Sequence, residues 1–123
     1  MTASEVSYLL TIGELSRAGG VRLKDVAEKR NLSGASACRA VDRLCEKRYI
    51  RREENRLVLT EKGEAAVREY ETCVEMIRLE IEARFGCRES VARKDALGVV
   101  CAFSEENFEK LLQMSGARSP KEK

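Results

Sequence analysis

Apolar residues recur at helical spacing along most of the chain, and each apolar run ends at glycine or at a polar break. The first run predicts a helix over about residues 3–17, which two adjacent glycines end. A second, short helix is predicted over about residues 23–29, and a break at residues 31–34 follows it. Asn31 or Ser33 in that break can cap a third helix. The inward stripe of this third helix is Ala37, Val41, Leu44 and Cys45.

The pattern changes after the third helix. Residues 49–53 and 56–60 are two short runs of β-forming residues joined by the polar pair Glu54-Asn55, which indicates a β-hairpin. Helical spacing returns at residue 60 and continues to about residue 85. A helix of that length extends roughly 37 Å, which is more than the preceding head can cover, so we expect it to need a partner.

The last part of the chain contains an uncharged run at residues 96–103, in the second half of a fifth helix. A helix that is apolar on all sides is buried on all sides. The run therefore predicts an interface, with Leu97, Val100 and Phe103 as contacts in a homodimer. Ser104 is placed to cap a sixth and last helix.

The order of helix, turn, basic helix and hairpin defines the predicted fold class. It is mainly α, a winged helix-turn-helix with a small β-hairpin wing, followed by a helical dimerisation region. We place the DNA-binding domain at residues 1–62, the dimerisation region at 63–115 and a disordered tail at 116–123.

The third helix carries polar and basic side chains opposite its inward stripe, namely Ser36, Arg39 and Arg43. This is the face that a major groove would contact. Arg39 is the best candidate for base recognition, because arginine can donate two hydrogen bonds to O6 and N7 of guanine. Arg43 has a second interpretation, as a solvated arginine paired with Asp42 or Glu46.

Charge is distributed unevenly, although the net charge is only +2. Residues 1–60 contain twelve Lys and Arg against eight Asp and Glu, whereas residues 61–123 contain eleven against thirteen. The basic surplus therefore lies in the predicted helix-turn-helix half, where phosphates would be. Arg51, Arg52 and Arg56 of the hairpin add to it.

Composition excludes several classes of protein. No apolar run approaches the roughly 20 residues of a membrane span, and charged residues interrupt the first twenty positions, where a signal peptide would lie. The five cysteines are odd in number and form no Cys-x-x-Cys pair, so we expect a reducing cytoplasm. The chain has no histidine, no glycine-rich phosphate loop and no nucleophile motif, so no enzyme is expected.

Short motifs in this order resemble the diphtheria-toxin-repressor family of iron- and manganese-dependent repressors. They are Tyr8-Leu9-x-Thr11-Ile12, Val26-Ala27-Glu28, Ser33-Gly34-x-Ser36, Val41-x-x-Leu44 and Leu59-Thr60-x-x-Gly63, and the resemblance extends over about residues 4–115. The multiple-antibiotic-resistance regulators share the Leu-Thr-x-x-Gly pattern and rank second. The resemblance implies a sequence-specific transcriptional regulator, a repressor, that binds double-stranded DNA as a homodimer. It also places a group of small or polar residues and one arginine near an operator, namely Ser33, Ala35, Ser36, Cys38 and Arg39.

In the family, metal ions bind between the first helix, the long helix and the helix after it. The resemblance places the six ligand positions at Ser7, Leu10, Val74, Leu97, Val100 and Cys101. Only Cys101 is a good transition-metal ligand. We therefore expect no metal cofactor at the family site, and DNA binding without activation by a divalent metal.

Three alternatives remain open at this stage. The winged helix could serve protein contacts instead of DNA. Oxidation of Cys38, beside Arg39 and near the start of the third helix, could control DNA binding. A displaced metal site could use Cys73, Cys101 and nearby glutamates.

Overall fold

The computed structural model describes residues 1–17, 19–30 and 33–116 of the chain. Its elements are, in order, α1 (Ala3–Ser16), α2 (Leu23–Arg30), α3 (Gly34–Glu46), β1 (Ile50–Glu53), β2 (Arg56–Leu59), α4 (Glu61–Phe85), α5 (Glu89–Ala102) and α6 (Glu105–Ser115). This order confirms the predicted fold class. Asn31, and the predicted tail beyond Gly116, lie outside the described residues. Gly116 itself ends α6 with a left-handed φ of 81°.

The chain divides into two compact units, Met1–Val67 and Arg68–Lys123. The first two turns of α4 belong to the first unit, and the rest of α4 belongs to the second. In the described residues, no helix has both the length and the apolar character that crossing a membrane requires.

The first unit packs α1, α2 and α3 around apolar side chains that are completely or almost completely buried. The largest of these are Val6, Leu9, Ile12, Val21, Val26, Val41, Leu44 and Ile50. The Thr2 hydroxyl caps α1 by accepting a hydrogen bond from the Glu5 amide at 3.1 Å, and Ser33 caps α3 through the Ser36 amide at 3.2 Å. These caps satisfy backbone donors that have no partner within a helix.

The wing is an antiparallel hairpin that pairs Ile50 with Leu59 and Glu53 with Arg56. A third segment extends it, because the Leu57 amide donates to the Val21 carbonyl at 2.7 Å. The sequence pattern did not predict this bridge, since a single paired residue has no periodicity.

The junction between α3, the wing and α4 explains the Thr60-x-x-Gly63 pattern. The Thr60 hydroxyl donates to the Arg48 carbonyl at 2.6 Å and accepts from the Gly63 amide at 3.0 Å, so it caps α4. A β-carbon at Gly63 would lie 1.9 Å from the Tyr49 carbonyl oxygen, so only glycine allows this close approach. Arg48 adopts a left-handed φ of 66°, and the Tyr49 amide reaches back to the Leu44 carbonyl at 3.0 Å. Together these contacts fix the end of α3 against the start of α4.

The second unit has its own core, formed by buried side chains from all three of its helices. They are Cys73, Val74, Ala96, Val100, Leu111 and Leu112. The rings of Tyr70 and Phe108 add a tilted aromatic pair with centroids 4.8 Å apart. Part of the apolar face of α4 is therefore covered by α5 and α6 of the same chain. The length of α4 had suggested that a partner chain would be needed to cover this face.

The uncharged run 96–103 differs from its prediction. Only one side of it is buried within the chain: Val100 is 2% exposed, whereas Val99 is 39% exposed. Leu97 and Phe103 are half-buried and pack against the same core as Val100. Val100 is thus covered mainly within its own chain, and its assignment as a dimer contact, together with Leu97 and Phe103, stays a prediction. The sequence showed that residues 96–103 are apolar but could not show which surface covers them.

Candidate nucleic-acid interface

The start of α3 presents small side chains on its exposed surface. Ser33 and Ala35 are exposed, Ser36 is half-buried, and the two serine hydroxyls lie 3.1 Å apart. A β-carbon at Gly34 would meet no atom within 4 Å. Small residues at the first turn allow another molecule to approach the free backbone amides of the helix closely.

Arg39 lies near the middle of α3 and is exposed. Within the described part of the chain, its side chain has no hydrogen-bond or ion-pair partner. Arg43, one turn later, is different because its Nε lies 3.7 Å from the Glu5 carboxylate. The predicted alternative partners of Arg43, Asp42 and Glu46, were therefore wrong.

Glu5 is a buried acid that the sequence analysis did not single out. Its side chain is 4% exposed and accepts a hydrogen bond from Lys47 Nζ at 2.6 Å. That bond holds the pKa of the Glu5 carboxyl below its usual range, so the group is ionised at neutral pH. The sequence did indicate that Glu5 is buried, because it precedes Leu9 by four residues and so lies on the buried face of α1. The pair joins α1 to Lys47, the residue that caps the C-terminal end of α3.

The three arginines of the wing are exposed, and two of them have acidic partners. Arg51 donates to Glu53 at 2.8 Å within β1, and Arg52 donates to Asp42 of α3 at 2.8 Å. Arg56 extends past Gly20, where a β-carbon would lie 1.9 Å from its Nη1 atom. Exposed ion pairs contribute only about 0–1 kcal/mol. The two pairs do, however, lower the net positive charge that the wing presents to a ligand.

Cys38 is half-buried, and its thiol lies 3.9 Å from Asp42 Oδ2 as a weak donor. The acidic neighbour was not anticipated, because the sequence suggested Arg39 and the helix start as the local environment. Cys45 is also half-buried, and burial raises the pKa of its thiol. An un-ionised thiol is a poor nucleophile and a poor metal ligand.

The six positions that match metal ligands in the resembled family do not supply a donor set. Leu10, Val74 and Val100 are buried and have no donor atoms, and Leu97 is half-buried and equally apolar. The Ser7 hydroxyl is occupied, because it accepts a hydrogen bond from Arg30, whose guanidinium also lies 4.4 Å from the centre of the Tyr8 ring.

Cys101 is the remaining position, and burial raises the pKa of its thiol, which opposes metal binding. Over residues 1–17, 19–30 and 33–116, no three His, Cys, Asp or Glu side chains form a group that could hold a metal ion. The residues present do not fit a divalent transition-metal ion.

Comparison with protein-family models gives one match: the MarR family matches residues 2–57. The matched segment contains α1, α2, α3 and nearly all of the wing. None of the curated proteins matches the chain in sequence.

Solved structures match over a longer part of the chain. The hypothetical protein SSo2273 from Sulfolobus solfataricus is 22% identical, with a TM-score of 0.72 over 97% of this chain and 92% of that one. The manganese regulator SloR is 21% identical and the metal-dependent transcriptional regulator MtsR is 19% identical. Each has a TM-score of 0.77 over 96% of this chain and 56% of its own. The chain thus spans about half the length of these two regulators, and it shares their winged-helix fold.

Proposed function

We propose that this protein is a sequence-specific DNA-binding transcriptional regulator, a repressor, in which α3 enters the major groove and the wing lies along the backbone. The observation that carries the proposal is Arg39, an exposed arginine without an acidic partner in the middle of α3. A free guanidinium there can donate two hydrogen bonds to one guanine. The small residues before it, Ser33 to Ser36, leave room for the backbone of the duplex.

Replacing Arg39 with alanine should weaken binding to the preferred duplex by about 1–3 kcal/mol, or roughly 5- to 150-fold, and relax preference at one base position. The preferred duplex is first selected from a random pool with the unaltered protein. Affinities of both proteins are then measured by fluorescence anisotropy on that duplex and on single-base variants of it.

Arg84→Ala is the matched control, because Arg84 is an exposed arginine on α4 that pairs with Glu80 at the surface. It removes the same charge from a position far along the sequence and should leave base preference unchanged. Equal effects of the two substitutions would show that α3 does not read bases. If the unaltered protein binds no duplex in a salt-dependent way, the winged helix serves protein contacts instead.

We also propose that the regulator acts as a homodimer through its second unit. Support comes from exposed apolar side chains on α4 and α5, namely Leu79, Phe85, Val91 and Val99. Exposed apolar surface of this kind is typical of interaction sites. Two-fold symmetry would place the two α3 helices in half-sites about one helical turn apart on a pseudo-palindromic duplex.

DNA binding is proposed to be independent of the divalent metal that activates the resembled family. Support comes from Leu10, Val74 and Val100, whose side chains offer no donor at positions where iron or manganese would need several oxygen or nitrogen ligands.

Titrating Mn²⁺, Fe²⁺ or Zn²⁺ into chelator-treated protein should therefore change affinity for the preferred duplex by less than about tenfold, which corresponds to 1.4 kcal/mol of coupling. The Cys101→Ser variant serves as the control for a thiolate site. A stoichiometric metal that raises affinity more than tenfold would contradict metal independence. Loss of that gain in Cys101→Ser would identify Cys101 as a ligand.

A further inference from the structure

Asp42 is an acidic residue on the exposed side of α3, where a DNA-binding helix would be expected to avoid negative charge. Both of its carboxylate oxygens have partners in the structure. Oδ1 accepts a hydrogen bond from Arg52 Nη2 at 2.8 Å, and Oδ2 lies 3.9 Å from the Cys38 thiol. The bond from Arg52 joins α3 to strand β1 of the wing across ten positions of sequence.

The pair is close but exposed. The Arg52 side chain is 46% exposed and the Asp42 side chain 50% exposed, so water and ions reach both groups. The hydrogen bond to Asp42 also raises the pKa of Arg52, as expected for two neighbouring opposite charges. If Arg52 left this pair to bind a phosphate, the Asp42 carboxylate would remain unpaired on the surface that faces the DNA. Repulsion between that carboxylate and the phosphates makes the exchange unfavourable.

Acidic partners are distributed unevenly among the basic side chains of this surface. Arg43 lies beside Glu5, Arg51 beside Glu53 and Arg52 beside Asp42. Within the described part of the chain, Arg39 of α3 and Arg56 of the wing have no such partner. Phosphate contacts strengthen binding to every sequence alike, whereas base contacts strengthen binding to one. The arrangement therefore restrains several cations suited to phosphates and leaves free Arg39, which is the best placed for bases.

We propose that Asp42 is a positioning residue, which holds Arg52 away from the DNA backbone and thereby lowers the sequence-independent part of the affinity for any duplex. This inference rests on the DNA-binding function proposed above. Asp42 acts through Arg52 and makes no contact with a base.

The test is binding of Asp42→Asn to a duplex of random sequence over a range of NaCl concentrations. The amide is the same size as the carboxylate but has no charge, so Arg52 becomes available to a phosphate. Affinity should rise roughly three- to tenfold at low salt, and the slope of log affinity against log salt should steepen by about 0.9, the value for one added phosphate contact. Affinity for the preferred duplex should rise by a similar factor, because a phosphate contact strengthens binding to every sequence alike.

Two further variants distinguish an effect of releasing Arg52 from an effect of simply removing one negative charge. Glu46→Gln removes the same charge from an exposed position on the same helix, and it should leave the salt slope unchanged. Adding Arg52→Gln to Asp42→Asn should abolish the gain in affinity and in slope. Circular dichroism confirms that each variant is folded.

Three results would overturn the inference while leaving the DNA-binding function in place. They are equal salt slopes for Asp42→Asn and Glu46→Gln, a gain that persists in the double variant, and weaker non-cognate binding by Asp42→Asn. The last would mean that Asp42 presents Arg52 to the backbone. Failure of the unaltered protein to bind any duplex would instead refute the proposed function, and this inference with it.

Discussion

Replacing Gly63 with alanine should destabilise the first unit by about 3 kcal/mol or more. The new β-carbon would lie 1.9 Å from the Tyr49 carbonyl oxygen and 2.9 Å from its carbonyl carbon. These are backbone atoms, so no side-chain rotation relieves the overlap. The Tyr49 carbonyl is itself held in place, because it accepts a hydrogen bond from the Thr60 amide at 3.1 Å. Whole domains are stable by only about 5–15 kcal/mol, so the loss is a large fraction of the total.

Thermal unfolding followed by circular dichroism measures this effect. A domain of this size loses about 4–8 °C in Tm for each kcal/mol, so a fall of more than about 12 °C is expected. Gly34→Ala is the control, because a β-carbon there would meet no atom within 4 Å. That change should alter stability by no more than about 1 kcal/mol. If the two variants have the same Tm, the approach at Gly63 is not required by the fold.

Replacing Val100 with aspartate should unfold the second unit. Val100 is 2% exposed and packs among Val74, Ala96 and Leu112. An unpaired carboxylate in such a place costs several kcal/mol, and we expect a loss of roughly 3–5 kcal/mol. Urea unfolding and limited proteolysis of residues 68–116 would detect this loss.

Val99→Asp is the matched control, because Val99 is the preceding residue of α5 and is 39% exposed. Its new charge stays in water, so the second unit should remain folded. The same variant tests the proposed dimer, since a charge on the exposed apolar surface should reduce a two-chain mass in solution to that of one chain. Cooperative unfolding of Val100→Asp at an unchanged urea concentration would contradict the single-chain core described here.

The sequence was sufficient to predict the helices and the wing, because their apolar residues follow the periods of a helix and a strand. It was also sufficient to place Arg39 on the exposed side of α3, opposite Val41 and Leu44. It could not predict the acid partners of the other arginines. Glu5 and Lys47 are separated by 42 positions and Asp42 and Arg52 by 10, and only the packing of α1, α3 and β1 brings them together.

Burial within the second unit was not predicted. Periodicity identifies an apolar face but does not identify the surface that covers it, so the sequence could not show that α4 and α6 of its own chain cover Val100. The metal positions illustrate the same limit. The resemblance placed the expected ligand positions at residues that, apart from Cys101, are poor donors, but the hydrogen bond between Arg30 and Ser7 depends on the placement of α2 beside α1.

The capping of α4 by Thr60 has a practical consequence for dissecting the protein. A fragment that stopped at Leu59, the last residue of the wing, would lose the hydroxyl that binds the end of α3. It would also uncover the surface that Ala66 and Val67 bury, including the contact of Val67 with Gly13. The shortest fragment that can fold alone must therefore continue through Val67, so a cut at the wing would divide a cooperative unit.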